Sequence, residues 1–200
     1  MGGDFIMKKR TYRLKTWELA LLLALCIAFA WGLWAEQTQK ELAEKMIRLH
    51  VIANSDTEAD QAAKLQMRDR VLEILAPALA ECKTQSEAAE VIRAHRTELE
   101  ALGDLSVTVS TEYYPTRVYD TFSLPAGEYL SLQVRMGAAE GKNWWCVVFP
   151  PLCTEALAEP AEEAFAALTG TERAIITGED GYIFRFRVVD WWNEIKNALG

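Results

Sequence analysis

Ile47-Arg48-Leu49-His50-Val51-Ile52-Ala53-Asn54-Ser55-Asp56 is the stretch that decides the fold. Its first half alternates as a β-strand does, with Leu49, Val51 and Ala53 on one face and Arg48 and His50 on the other. The chain then turns at Asn54-Ser55-Asp56. Ser55 and Glu58 have the S-x-x-E spacing of a capping box, in which each side chain satisfies an orphan amide at the start of a helix. A strand that carries a cation and an imidazole on one face and ends in a polar helix N-terminus is a natural place to receive an anion or a polar partner. The plainer alternative is that Arg48 and His50 meet solvent or a satisfied polar contact while Asn54, Ser55 and Asp56 only cap.

Downstream, Leu65, Leu72, Leu75 and Leu79 mark the buried stripe of the first helix, which Pro77 should kink or end. Thr84 and Glu87 open a second helix that runs through Val91, Ile92, Leu99 and Leu102 to a C-terminal Gly103. The texture then turns to β: Leu105 to Tyr114, Glu128 to Met136, and Lys142 to Phe149. The last two, joined by Gly137 to Gly141, read as a β-hairpin. Thr154 to Leu168 reads as a helix and Tyr182 to Val189 as a strand, and Asp190 caps a last helix containing Trp191 and Trp192. Strands clustered together with helices to one side define an α+β domain with a mainly antiparallel sheet.

Before this domain, residues 1–35 have the layout of a signal peptide or membrane anchor. Lys8, Lys9, Arg10, Arg13 and Lys15 precede an apolar run from Leu19 to Ala35, and Ala28-Phe29-Ala30 supplies an A-x-A pattern for cleavage after Ala30. The run of about 17 residues is at the lower limit for crossing a bilayer, so both fates are open, with residues 17–35 in the membrane if uncleaved. The positive flank keeps the N-terminus inside and sends everything after Trp34 out. Residues 36–45 form a polar, helix-favouring stalk and residues 46–200 the extracytoplasmic domain. Removing the five bases and two acids (Asp4, Glu18) of the first 35 residues from 21 and 29 leaves 16 against 27, a charge of −11. So acidic a domain is a poor match for nucleic acid or for anionic lipid surfaces in general. With half its residues hydrophobic, the chain is suited to a packed core.

Asn143-Trp144-Trp145-Cys146-Val147-Val148-Phe149-Pro150-Pro151-Leu152-Cys153 is the second informative stretch. Alternation sends Trp144 and Trp145 to opposite faces, so one ring is free to anchor a partner if the other is core, or both are core if both faces are covered. Outside the cytoplasm Cys146 and Cys153 can close a disulfide loop, provided their Cα atoms come within about 7 Å. Two buried thiols or one reactive thiol are the alternatives, and Cys82 is left unpaired. A Cys/His enzyme would need His50 and Cys146 to meet, and no local signature supports one. G-x-S-x-G, H-E-x-x-H, C-x-x-C and a phosphate-binding glycine loop are all absent from the sequence, and no metal-ligand cluster or cofactor motif is visible.

The string Arg48 to Asp56, with Asp60-Gln61, Lys64-Leu65 and Arg68-Asp69 after it, resembles the stage II sporulation protein R family. So do Pro125-Ala126-Gly127-Glu128-Tyr129, Asn143-Trp144-Trp145-Cys146, Phe149-Pro150-Pro151-Leu152-Cys153 and the closing Phe184 to Trp191. What the resemblance implies is a signal rather than an enzyme. Such proteins are exported from the forespore into the space between the two sporulation membranes. There they trigger a membrane-embedded aspartic protease of the mother cell, the stage II sporulation GA protein, which processes the sigma-E precursor. In that setting Arg48, His50, Asn54, Asp56, Asn143, Trp144 and Trp145 become the candidate partner-binding residues. An exported Cys/His-dependent envelope hydrolase is the rival reading.

Overall fold

The computed structural model describes residues 14–119, 122–152 and 168–177. Helix α1 (Thr16–Ala43) carries the apolar segment and the stalk as one continuous rod, about 42 Å long at 1.5 Å per residue. Trp17, Leu21, Leu25, Phe29 and Leu33 all project outward from it, exposed. By length and composition it is able to cross a membrane, a test that a signal sequence also passes. Strand β1 (Ile47–Ile52) follows, then α2 (Glu58–Ala80), α3 (Gln85–Ala94) and α4 (Arg96–Glu100). Next come β2 (Leu105–Tyr114), β3 (Arg117–Val118), β4 (Ser123–Leu124), β5 (Gly127–Met136), β6 (Asn143–Phe149) and α5 (Gly170–Thr177).

The main sheet has the order β2-β5-β1-β6, with β3 and β4 forming a separate two-stranded ribbon. The class is α+β, as the pattern implied, but the expected hairpin is not formed. β1 lies between β5 and β6, parallel to the former and antiparallel to the latter. Its residues are buried on both faces apart from a half-buried His50, which selects the middle of the sheet over an edge. Residues 137–142 therefore cross over the end of β1. They are held there by Glu140 N–H to Asn54 C=O (3.1 Å) and Gly141 N–H to Ala53 C=O (3.0 Å). Gly137 adopts φ +51 in this turn, a left-handed value that favours glycine.

One face of the sheet packs on α2, α3 and α4. Ile47, Leu49 and Val51 of β1 meet Val71, Leu75 and Leu79 of α2, Ile92 of α3, Leu99 of α4 and Leu132 and Val134 of β5. The helix stripe differs from the leucine reading: Leu65 is 41% exposed and Lys64 is buried in its place. The Lys64 stem covers core while its ammonium donates to Gln61 Oε1 (2.7 Å) and Lys142 C=O (3.1 Å). Pro77 neither ends nor breaks α2; the helix runs through it with the proline on its solvent-facing side. The cap is Thr57, whose hydroxyl accepts from Asp60 N–H, rather than Ser55. The second helix breaks at His95, whose ring Nδ1 meets Val91 C=O at 2.8 Å.

A smaller core joins the end of α1 to the other face. Leu42 and Met46 pack with Phe122, Leu124, Val147, Leu152 and Ile176. Lys45 Nζ reaches both oxygens of Glu172 on α5 at 2.7 Å. Burial alone would raise the Glu172 pKa, but Lys45 and the Thr169 N–H outweigh it and hold it below the ordinary value. The expected helix at Thr154 to Leu168, apart from Leu168 itself, and the expected strand and helix from Tyr182 onward lie outside the described residues.

A Cβ on Gly141 would sit 2.3 Å from the Ser55 carbonyl oxygen, a backbone atom that cannot swing away. Gly141→Ala should destabilise the domain by about 1–3 kcal/mol in urea unfolding of the full chain. Gly103→Ala, where nothing lies within 4 Å, should be close to neutral.

Candidate functional site

The part of the sheet face away from α2–α4 that the smaller core leaves open carries polar and aromatic residues. The two-residue repeat of each strand puts them there. Arg48 and His50 are paired in register with Ser131 and Gln133 of β5, which sit opposite Ser110 and Thr108 of β2; Glu112 and Tyr114 continue that row of β2. On the other side His50 faces Trp145, and Ile52 faces Asn143.

His50 lies at the centre. Its Nδ1 is 3.3 Å from Glu112 Oε2 and its Nε2 is 3.0 Å from Asn143 Oδ1. Both neighbours are oxygens, so an imidazolium donates to both and a neutral ring to one. Glu112 is itself held: Tyr114 donates to Oε2 (3.1 Å) and the Gln133 amide donates to Oε1. Since Tyr114 gives its proton to Glu112, Ser131 Oγ must donate to Tyr114 across their 2.6 Å contact. Burial pushes the Tyr114 phenol well above its usual range, so it stays a donor. Trp145 closes the row, half-buried, with its ring 5.6 Å from His50 and the Arg117 guanidinium 3.9 Å above it.

Arg48 is fully buried beside this row. Its guanidinium stacks 4.3 Å from the Tyr114 ring centre and 5.2 Å from that of Tyr129, and Nη2 donates to Tyr119 Oη at 2.9 Å. It is a cation held inside by aromatic faces.

Asn54 and Asp56 serve a different place. Asn54 Oδ1 accepts from Ala138 N–H (2.9 Å) and Asp56 Oδ1 from Lys142 N–H (2.7 Å), clamping the 137–142 turn onto the start of α2. Asp60 receives Ser55 Oγ (2.5 Å) and Asn54 Nδ2 (2.9 Å), and these hydrogen bonds hold its carboxyl below the usual range. Trp144 projects to the helix face, against the main core and 4.9 Å from the Arg68 guanidinium. The structure thus unites Arg48, His50, Asn143 and Trp145, and separates Trp144, Asn54 and Asp56 from them. Glu112, Tyr114, Tyr119 and Arg117 went unread in the sequence. Alternation from Val107 already put Glu112 and Tyr114 on the polar face of β2, but the pairing with β1 was needed to bring them to His50.

Cys146 is disulfide-bonded, and its expected partner Cys153 lies outside the described residues. Cys82 is free, with burial raising its thiol pKa and Sγ directed at Ala78 C=O (3.4 Å). Register puts Cys146 beside Leu49, on the face opposite His50. Among the described residues no group of three or more His, Cys, Asp or Glu is placed to hold a metal.

Residues 43–159 match the family described as stage II sporulation protein R. The chain is also 30% identical, over 203 aligned positions, to "Stage II sporulation protein R" of Bacillus subtilis (strain 168), covering 82% of this chain and 90% of that protein. No solved structure matches.

The clamp makes a pH prediction. A carboxyl whose folded pKa is depressed adds stability above its unfolded value, here 3.8, and that stability is lost as pH falls through the folded value. The side-chain amide signals of Asn54, which donates to Asp60, should therefore stay fixed from neutral pH to about 4 and move only below it. In Asp60→Asn the movement that follows Asp60 should be gone from these signals.

Proposed function

Because this chain belongs to the stage II sporulation protein R family, we propose that it is an exported signal that activates the stage II sporulation GA protein, a membrane-embedded aspartic protease of the mother cell. The outcome is processing of the sigma-E precursor. The domain works between forespore and mother-cell membranes, tethered through residues 17–35 or released after Ala30. The observation that carries this reading is a half-buried aromatic anchor, Trp145, set among His50, Asn143 and Arg117 on the face where α1 joins the domain.

Each candidate residue takes a role from where it lies. Trp145 is the anchor, since partly exposed tryptophans dominate interface energetics. Asn143 is exposed and His50 half-buried, and both offer polar contacts beside it. Arg48 is buried and positions the row through Tyr114 and Tyr119. Asn54 and Asp56 hold the turn that leads into Asn143, and Trp144 packs the opposite face. Activation follows if the domain binds the protease more tightly in its active conformation, which shifts that equilibrium without chemistry by the domain. The rival Cys/His hydrolase is disfavoured by one observation: Cys146 is disulfide-bonded on the face opposite His50.

The two tryptophans separate signalling from folding. Trp145→Ala should keep most of its stability yet reduce sigma-E precursor processing in sporulating cells by about tenfold or more. Trp144→Ala should lose about 1–3 kcal/mol of stability, with signalling falling only as far as protein level does. Full processing by a folded Trp145→Ala protein rejects the anchor, and normal processing in a strain deleted for the gene rejects the signalling role itself.

A further inference from the structure

Among the described residues, three buried guanidinium nitrogens lack a hydrogen-bond partner: Arg48 Nε, Arg48 Nη1 and Arg117 Nε. All three are donors, and they border one group of rings. Arg48 lies between Tyr114 and Tyr129, Arg117 covers Trp145, and the Gln39 amide hydrogen-bonds Tyr129 and packs against Gly127. Tyr119 joins them, accepting from Arg48 and donating to Trp145 C=O at 3.4 Å. Neither guanidinium forms an ion pair among the described residues. Glu112, the carboxylate of the polar row, has both oxygens engaged by His50, Tyr114 and Gln133.

A buried cation with unmade hydrogen bonds is poorly tolerated, and aromatic faces offset only part of that penalty. What the cluster lacks among the described residues is negative charge together with several acceptors. We infer that Arg48 and Arg117 form a binding site for a phosphate group. The donors arrive from two elements, β1 and β3, and three unmet N–H groups on two guanidinium ions suit a tetrahedral oxyanion with acceptors on several sides better than one flat carboxylate. Arg48 is fully buried, but Gln39 and Arg117 are half-buried and bring the cluster to the surface beside α1. Gln39 is four residues beyond Ala35, about 6 Å along the helix, so an inserted α1 holds the cluster at headgroup depth. The phosphate is therefore either a lipid headgroup or a free ion. The domain's net negative charge sets no general attraction to either, and the site is local.

The test uses the full chain in dodecyl maltoside, which carries no phosphate. Inorganic phosphate at roughly 100 times its Kd should raise Tm by about 5 °C relative to sodium chloride of equal ionic strength. Dihexanoyl phosphatidylglycerol in the same micelles identifies the source: stabilisation at lower concentration than inorganic phosphate assigns the headgroup, and the reverse assigns the free ion. Arg117→Gln leaves the Arg48 packing in place and should weaken phosphate binding about tenfold. Arg48→Gln should abolish it, and if that variant does not fold, Arg117→Gln still decides. Equal Tm in phosphate, lipid and chloride, or an unchanged shift in Arg117→Gln, overturns the site and leaves the donors to water.

Discussion

A guanidinium enclosed by tyrosines in the middle of a sheet sets the terms for the rest of this domain. Arg48 sits on the central strand with no solvent contact, against Tyr114 of β2, Tyr129 of β5 and Tyr119 beyond β3. Stacking a desolvated cation on a ring is worth about 2 kcal/mol. A hydrogen bond to a charged group adds about 1.5–3 kcal/mol. Against these stands a desolvation penalty of several kcal/mol for the ion. The balance is tolerable only where neighbouring chain closes over the charge: β2 and β5 bring Tyr114 and Tyr129, Tyr119 reaches in from beyond β3, and β6, paired on the other side, keeps β1 from being an edge. The buried charge and the crossing of 137–142 over β1 therefore belong together.

Placing β1 in the centre divides the sheet. The helix-covered face is aliphatic, and its stability follows from burial of Leu49, Val51, Leu75, Ile92 and Leu132. The other face is only partly covered, by the end of α1 and the β3–β4 ribbon, and its open part carries the His50–Glu112–Asn143 row and Trp145. One strand thus serves a hydrophobic core with its odd-numbered residues and a polar surface with Arg48 and His50. A register slip of one residue would exchange them, and the Asn54–Asp56 clamp on the 137–142 turn resists that slip.

The local part of this arrangement was legible in the sequence. β2 begins and ends where alternation put it, and β5 and β6 are each within one residue of the reading. Thr84 caps α3 as its spacing indicated, accepting from Glu87 N–H. Non-local pairing was not legible. Two strands joined by a short glycine-bounded turn look like a hairpin, and nothing within them announces that a strand from 80 residues earlier separates them. The same limit hid the site, because Glu112 is 62 residues from His50 and Tyr119 is 71 from Arg48. Leu65 and Lys64 failed for a different reason. A lysine stem can fill an aliphatic position when its ammonium finds a backbone carbonyl, so hydropathy alone chose the wrong one of two neighbours.

The continuity of α1 joins its apolar segment to this sheet. A helix without a break from Thr16 to Ala43 cannot pivot freely at residue 36, so whatever fixes its apolar part also fixes the domain at its other end. The contacts at that end are specific. Leu42 enters the smaller core, Lys45 pairs with Glu172, and Gln85 Nε2 donates to Ala43 and Met46 carbonyls at 2.8 and 2.6 Å. In a tethered chain the polar face would be presented at a constant height and angle above the bilayer. Its partner, in the proposed role, is embedded in the facing membrane. Cleavage after Ala30 would keep these contacts, which begin at Gln39, and remove only the height. Tethered and released forms should thus offer the same binding face and differ in effective concentration, which falls once the chain is free to diffuse.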